Sequence, residues 1–138
     1  MSGAGRELSF FYLSELGQLK LLTRLVRFGQ ILPPQEYKVL LAIFDRTYAW
    51  RKSEAVIPND HFLHGVSGGR GELAAAPLGL SQRELERAIE GLVNVRAIRR
   101  FGTPEPITYS INLEWQPQGF RRMWEIAESD FCYRPDDN

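Results

Sequence analysis

The sequence predicts a single, mostly helical α+β domain, and three observations lead to that class. Apolar residues recur at helical spacing in three separate stretches, over 7–28, 35–50 and 81–94. Near residue 100 the period changes to the alternation that is typical of a β-hairpin. The chain has 138 residues, of which 43% are hydrophobic and 12% aromatic, which suffices for one core and excludes wholesale disorder.

The first stretch, residues 7–28, predicts an amphipathic helix. Gly17 is expected to break or bend this helix, and Gly29 is expected to end it. Such a leading helix either covers the core of its own domain or packs against a partner subunit. Its apolar residues follow one another at steps of three and four, and they are Leu8, Phe11, Tyr12, Leu16, Leu19, Leu22, Leu25 and Val26.

The second stretch predicts a helix from about Gln35 to Trp50, introduced by Pro33-Pro34. Its apolar stripe is formed by Tyr37, Leu40, Leu41, Phe44 and Tyr48. A short helix is then expected to begin at Asn59 or Asp60, with Phe62 and Leu63 buried.

Residues 65–77 predict an open, glycine-rich loop, in which 72–76 could form one more helical turn. The loop is either a functional insertion or a surface excursion, and the residues do not distinguish the two.

The third stretch predicts a helix that is capped at its start. Ser81 and Glu84 have the spacing of a capping box, in which each side chain satisfies a backbone N–H of the first turn. The expected inward residues are Leu85, Ala88, Ile89, Leu92 and Val93, and the outward ones are Gln82, Arg83, Glu86, Arg87, Glu90 and Asn94.

Residues 97–101 and 107–113 predict a β-hairpin, because they flank a tip that contains two prolines. The strict alternation over 107–113 predicts a strand that is buried on one face. After this hairpin, Phe120, Met123, Trp124 and Ala127 suggest a short C-terminal helix, followed by an acidic tail.

A helix, a short helix, a capped helix and a hairpin follow one another in the order of a winged helix-turn-helix domain. We therefore expect a winged-helix domain over 33–115. An N-terminal helix over 1–32 would serve packing or dimerisation, and 116–138 would form the C-terminal helix and tail.

In this arrangement the capped helix fits the major groove of double-stranded DNA, and the hairpin lies against the backbone. Guanidinium groups pair with guanine edges, and Gln82 suits adenine. Arginines at the start of the hairpin would contact phosphates. The predicted DNA-binding residues are Gln82, Arg83, Glu86, Arg87, Arg96, Arg99 and Arg100.

The stretch 40–50, which ends in Thr47-Tyr48-Ala49-Trp50, resembles the first helix of the winged-helix domain of phage O-type replication proteins. Residues 78–89, with Gly79-Leu80-Ser81, are similar to the entry of the recognition helix in that family. Residues 97–100 resemble the step into the wing, which regulators of the MarR type share. The resemblance covers about 33–113 and implies DNA as the ligand, with dimers on paired half-sites. Because 25 residues follow the hairpin, we expect a small regulator of a phage or mobile element.

The charge balance favours a second interpretation. Seventeen basic and seventeen acidic residues give no net charge, and the predicted recognition helix contains Glu86 and Glu90. This balance argues against a nucleic-acid binder that acts by electrostatics alone. The same fold would then serve as a protein-interaction module, such as a phage-encoded inhibitor or adaptor that binds a host or replication protein.

Other functions lack a sequence basis. Cys132 is the single cysteine, which excludes an internal disulfide and a multi-cysteine zinc site. His61 and His64 are expected at the surface, and residues 65–71 lack the ending of a phosphate-binding loop. We expect no enzymatic activity, no cofactor and no metal. Without a signal segment or an apolar run of about 20 residues, a cytoplasmic protein with no membrane partner is expected.

Overall fold

The computed structural model of the chain describes residues 11–102, 107–116 and 126–133. Within these residues the fold is α+β, as expected, with four α-helices and small antiparallel sheets. The helices are α1 (Glu15–Gly29), α2 (Pro34–Arg46), α3 (Asn59–His64) and α4 (Gln82–Asn94). The strands are β1 (Phe11–Leu13), β2 (Ala55–Val56), β3 (Val66–Ser67), β4 (Leu73–Ala75), β5 (Ile98–Phe101), β6 (Thr108–Ile111) and β7 (Phe131–Tyr133). Short 3-10 turns lie at Tyr48–Trp50, Gly69–Gly71 and Glu128–Asp130.

The strands form three separate antiparallel sheets. The central sheet has the order β2-β6-β5, and its register places Arg99 opposite Ser110 and Arg100 opposite Tyr109. β1 pairs with β7, which brings the start and the end of the described chain together, and β3 pairs with β4.

The core lies between α2, α4 and one face of the central sheet. Residues from α1 close it at one side, and Phe62 of α3 packs edge-on against the ring of Tyr109 at 5.7 Å between centroids. The buried apolar residues of these elements are Leu21, Leu25, Val39, Leu40, Ile43, Phe62, Leu85, Ala88, Ile89, Leu92, Ile98, Tyr109 and Ile111.

The predicted helix over 7–28 begins too early, because residues 11–13 form β1 instead. The helix starts after Ser14, whose Oγ accepts a hydrogen bond from the backbone N–H of Gly17 at 3.1 Å. Gly17 does not break α1. A Cβ there would lie 2.9 Å from the backbone oxygen of Asp130, so glycine permits a close approach to the C-terminal segment. Gly29 is the last residue of α1, as predicted.

The second helix is shorter than predicted, since α2 ends at Arg46 rather than near Trp50. Thr47 leaves helical geometry, and its hydroxyl donates to the carbonyl of Ile43 at 2.7 Å. The backbone then forms a 3-10 turn in which Tyr48 is buried, whereas Trp50 is 69% exposed. Trp50 is therefore not part of the core of this chain.

The segment between α3 and α4 contains a small hairpin. The helical turn predicted over 72–76 is wrong, since β4 pairs there with β3. α3 begins at Asn59, but no side chain caps it. Phe62 is buried as predicted.

β6 is buried on both faces, and not on one as its alternation predicts. Tyr109, Ser110 and Ile111 are all buried, because α2 and α4 cover one face and the turn after α2, together with β7, lies over the other. The C-terminal helix predicted around Phe120, Met123 and Trp124 lies outside the described residues, as do residues 7–10, the hairpin tip 103–106 and the acidic tail. Ala127 is not helical but precedes the 3-10 turn that leads into β7.

Candidate nucleic-acid interface

Helix α4 is fixed at its start by the predicted capping box. The backbone N–H of Ser81 donates to Oε1 of Glu84 at 2.9 Å, and the N–H of Glu84 donates to Oγ of Ser81 at 3.1 Å. These bonds from Ser81, aided by the nearby charge of Lys38, hold the pKa of Glu84 below its usual value. The first turn of α4 is therefore well defined although its side chains face solvent.

The outward face of α4 is as predicted. Leu85 and Leu92 are buried, and Gln82, Arg83, Glu86, Arg87, Glu90 and Asn94 are all exposed. Arg83 and Arg87 are four residues apart, so they lie next to each other on successive turns. Nε2 of Gln82 approaches Oε2 of Glu86 at 3.4 Å, a long and weak contact. Two arginines thus stand together on the first two turns.

Arg96 lies in the turn between α4 and β5 and is exposed. Its backbone adopts a left-handed conformation with φ +64°, and its carbonyl accepts a hydrogen bond from Nδ2 of Asn112 at 2.8 Å. The backbone of Arg96 is therefore fixed, while its side chain faces solvent beside the end of α4.

Arg99 and Arg100 project from opposite faces of the central sheet. Nη2 of Arg100 lies 3.0 Å from Oε2 of Glu90, which places Arg100 on the side of α4 and balances its charge. Arg99 points to the other face, where it lies near Tyr48. Arg99 is therefore separated from the remaining predicted residues by the sheet.

The surface that these residues form carries a small excess of positive charge. Arg83, Arg87 and Arg96 are exposed, Glu86 offsets one of them, and the charges of Arg100 and Glu90 cancel, so two guanidinium charges are left unbalanced. We call the side chains of Gln82, Arg83, Glu86, Arg87, Arg96 and Arg100 the α4 surface. This surface can bind a ligand through hydrogen bonds that its guanidinium groups and the amide of Gln82 donate.

Lys38 was not predicted as a site residue, yet it lies close to this surface. Its Nζ donates to the carbonyl of Leu78 at 3.1 Å, and its charge acts on Glu84 at the start of α4. In the sequence Lys38 is a basic residue outside the apolar stripe of α2, and its neighbours in the sequence do not indicate that it faces α4.

A cleft of about 330 Å³ lies between α2, α3 and the end of β4. On its wall the guanidinium of Arg46 donates to Nδ1 of His61 at 3.0 Å. His61 therefore takes part in a contact between α2 and α3. In the described part of the chain no three His, Cys, Asp or Glu residues are placed to hold a metal ion.

Comparison with known proteins gives no match to this chain among protein-family models, curated proteins or solved structures. None of the helices within the described ranges is long and apolar enough to cross a bilayer. The geometry of the α4 surface is thus the basis on which a function is inferred.

Proposed function

We propose that this chain is a winged helix-turn-helix protein that binds double-stranded DNA sequence-specifically and regulates transcription or replication of a phage or mobile element. The order α2, α3, α4 and the β5–β6 hairpin supports the winged-helix assignment. The resemblance of 40–50 and 78–89 to phage O-type replication proteins supports the phage origin.

One observation carries the DNA-binding proposal, namely the exposed first half of α4. The capping box fixes its start, its buried residues face the core, and Arg83 and Arg87 point outward on successive turns. A helix presented in this way fits the major groove, where a guanidinium pairs with the O6 and N7 atoms of guanine. Arg96 and Arg100, at the base of the hairpin, would contact phosphates.

We further propose that two copies of the chain associate through α1. This helix buries Leu21 and Leu25 on one side but exposes an apolar stripe on another. The α1 stripe consists of Leu16, Leu19, Leu22 and Val26.

The α1 stripe suits a second copy because of its spacing and its lack of charge. Leu19, Leu22 and Val26 follow the spacing of a two-helix seam. Lys20 binds Asp130 and Arg24 donates to the carbonyl of Leu113, so both bases point away from the stripe. A two-fold axis brings the same uncharged surface from each copy together, and such dimers match paired half-sites on DNA.

A protein-interaction module remains the second candidate, and the pairing of Arg100 with Glu90 favours it. That pair lowers the positive charge of the α4 surface, and a surface of mixed charge suits a protein partner better than a row of phosphates. In this case the partner would be a host or replication protein.

The DNA-binding proposal is tested by enriching bound sequences from a pool of random duplexes and measuring affinity by fluorescence anisotropy. We expect Arg83→Ala and Arg87→Ala each to weaken binding to the enriched sequence by about 1–3 kcal/mol and to relax preference at one base pair. Arg70→Ala is the matched control, since it removes an exposed arginine from the turn between β3 and β4 and should leave affinity unchanged.

Absence of salt-sensitive binding by the wild-type chain at low ionic strength would reject DNA binding. An equal loss of affinity in the Arg70 variant would show that overall charge, and not the α4 surface, is responsible.

A further inference from the structure

A small cavity lies on the face of the central sheet that is turned away from α4. Its volume is about 130 Å³, roughly the share of four water molecules in the liquid. The turn after α2, strands β5 and β6 with the residues that follow, and the start of β7 enclose it. The lining residues are Tyr48, Ser53, Arg99, Ser110, Ile111, Asn112, Leu113, Glu114 and Phe131.

Ser53 supplies the first indication of a ligand. It is 1% exposed, lines the cavity, and its Oγ has no hydrogen-bond partner. A buried hydroxyl without a partner destabilises a fold, so native proteins rarely retain one without a reason. A ligand with an acceptor atom would satisfy this group.

Ser110 and Arg99 provide a second pair of donors on the same wall. They are directly opposite each other in the β5–β6 register and therefore project from the same face of the sheet. Ser110 is buried, whereas Arg99 is exposed and makes no ion pair within the described residues. The guanidinium thus stands at the mouth of the cavity and the hydroxyls stand inside it.

Tyr48 adds a phenol to these groups. Burial raises its pKa, with the charge of Arg99 acting in the opposite direction and that of Glu54 adding to the rise. The phenol is therefore protonated at neutral pH and able to donate a hydrogen bond.

The remaining wall is apolar and carries one exposed carboxylate. Leu113 and Phe131 offer aliphatic and aromatic surface, while Glu114 is exposed at the rim. The side chain of Asn112 is engaged by the carbonyl of Arg96 and the backbone N–H of Glu114. Apart from Glu114, each polar side chain available to a ligand can donate a hydrogen bond.

We propose that this cavity binds a small organic acid. Its carboxylate would lie between the guanidinium of Arg99 and the hydroxyls of Ser53 and Ser110, and its short apolar body would contact Leu113 and Phe131. Charge-assisted hydrogen bonds from a guanidinium to a carboxylate are stronger than neutral ones, and the buried hydroxyl of Ser53 has no other partner. The proposal is independent of DNA binding, since the site lies on the other face of the sheet from the α4 surface.

The test is a titration of the full chain with butyrate, followed by amide chemical shifts in nuclear magnetic resonance spectra. Saturable shifts are expected around Ser53, Arg99 and Ser110. Butyramide has the same shape without the charge and should bind at least tenfold more weakly. Inorganic phosphate has the charge without the apolar body and should also bind more weakly. Tighter binding of phosphate, or equal binding of butyramide, would overturn the proposal.

Substitutions in and outside the cavity separate ligand binding from a structural role. Arg99→Gln and Ser53→Ala should each weaken butyrate binding at least tenfold. Ser53→Ala should leave the melting temperature of the unliganded chain unchanged or higher, because the lost hydroxyl has no partner. Arg70→Gln removes an exposed arginine that does not line the cavity and should bind butyrate like the wild type.

Glu114→Gln should strengthen butyrate binding, since it removes a negative charge from the rim. Weaker binding in this variant, or unchanged binding in Arg99→Gln, would show that the cavity does not select an anion.

Discussion

Asp130 joins the two ends of the described chain through its carboxylate and its backbone. Its Oδ2 accepts hydrogen bonds from Nζ of Lys20 and from the N–H of Ala127, both at 2.8 Å. Its backbone oxygen accepts from the N–H of Ser14 at 2.7 Å. The side chain is only 4% exposed. The contact with Lys20, followed by that with Ala127, lowers the pKa of Asp130.

We expect Asp130→Asn to lower the free energy of unfolding at pH 7 by about 1.5–3 kcal/mol, the typical contribution of a hydrogen bond to a charged group. Because the folded pKa is lowered, this stabilisation is complete above the unfolded value of about 3.9 and disappears as the pH falls through the folded value. Urea unfolding at several pH values measures both effects.

In those measurements the difference between the wild type and the Asp130 variant should shrink in acid. Glu128→Gln, an exposed carboxylate two residues away, is the control and should change little at any pH. A difference for Asp130 that is independent of pH would contradict the role of its charge.

Gly29 illustrates how a single residue sets the distance between two helices. A Cβ at this position would overlap the ring of Tyr37 in α2. The sequence predicts Gly29 as a helix end, which is correct. Glycine is needed there because the ring of Tyr37 leaves no room for a Cβ, and not because the backbone is left-handed.

At the scale of elements, α1 is the helix with apolar surface on two sides. The α1 stripe is exposed although Leu16, Leu19, Leu22 and Val26 have the spacing of buried residues. Amphipathic periodicity alone cannot distinguish the side that faces the core from the side that faces a partner, since both are apolar.

We expect Leu19→Glu to convert a dimer into a monomer, as measured by sedimentation or light scattering across protein concentrations. The side chain is 59% exposed, so the monomer should fold with an unchanged circular dichroism spectrum. Leu73→Glu is the matched control, because Leu73 on β4 is equally exposed at 59% but lies away from α1. A wild type that is monomeric at all concentrations would contradict the proposed association.

Helix α4 and the β3–β4 hairpin differ in how far the sequence predicts them. The capping box, the buried stripe and the exposed face of α4 are all confirmed, because each depends on residues within four positions of one another. The β3–β4 hairpin was missed, since Ala74 and Ala75 have no strand preference and become a strand by pairing with Val66 and Ser67.

At the scale of the whole molecule, the balance of charge limits how DNA can be bound. Seventeen basic and seventeen acidic residues give no net charge, and Glu86 and Glu90 offset part of the positive charge of the α4 surface. Phosphate neutralisation therefore contributes less to affinity than in a basic protein, and base contacts contribute relatively more.

We accordingly expect a shallow salt dependence, with log K against log salt falling by about 2 to 4 per protomer for two to four phosphate contacts. Arg96→Ala should reduce this slope by about 1 without altering base preference, whereas Arg83→Ala should alter preference. Anisotropy titrations at several salt concentrations measure both. A slope near zero, or an unchanged slope in the Arg96 variant, would contradict the assigned phosphate contacts.

Local sequence patterns determined the α+β class, the helix that begins after Ser81 and the β5–β6 hairpin, because caps, turns and periodicity act over a few residues. Tertiary structure decided the partners of these elements. Residues 11–13 are a strand because 131–133 pair with them, more than 100 positions away. Arg99 and Arg100 are neighbours in the sequence, yet one faces Tyr48 and the other Glu90, because successive residues of a strand project to opposite faces and α4 covers only one of them.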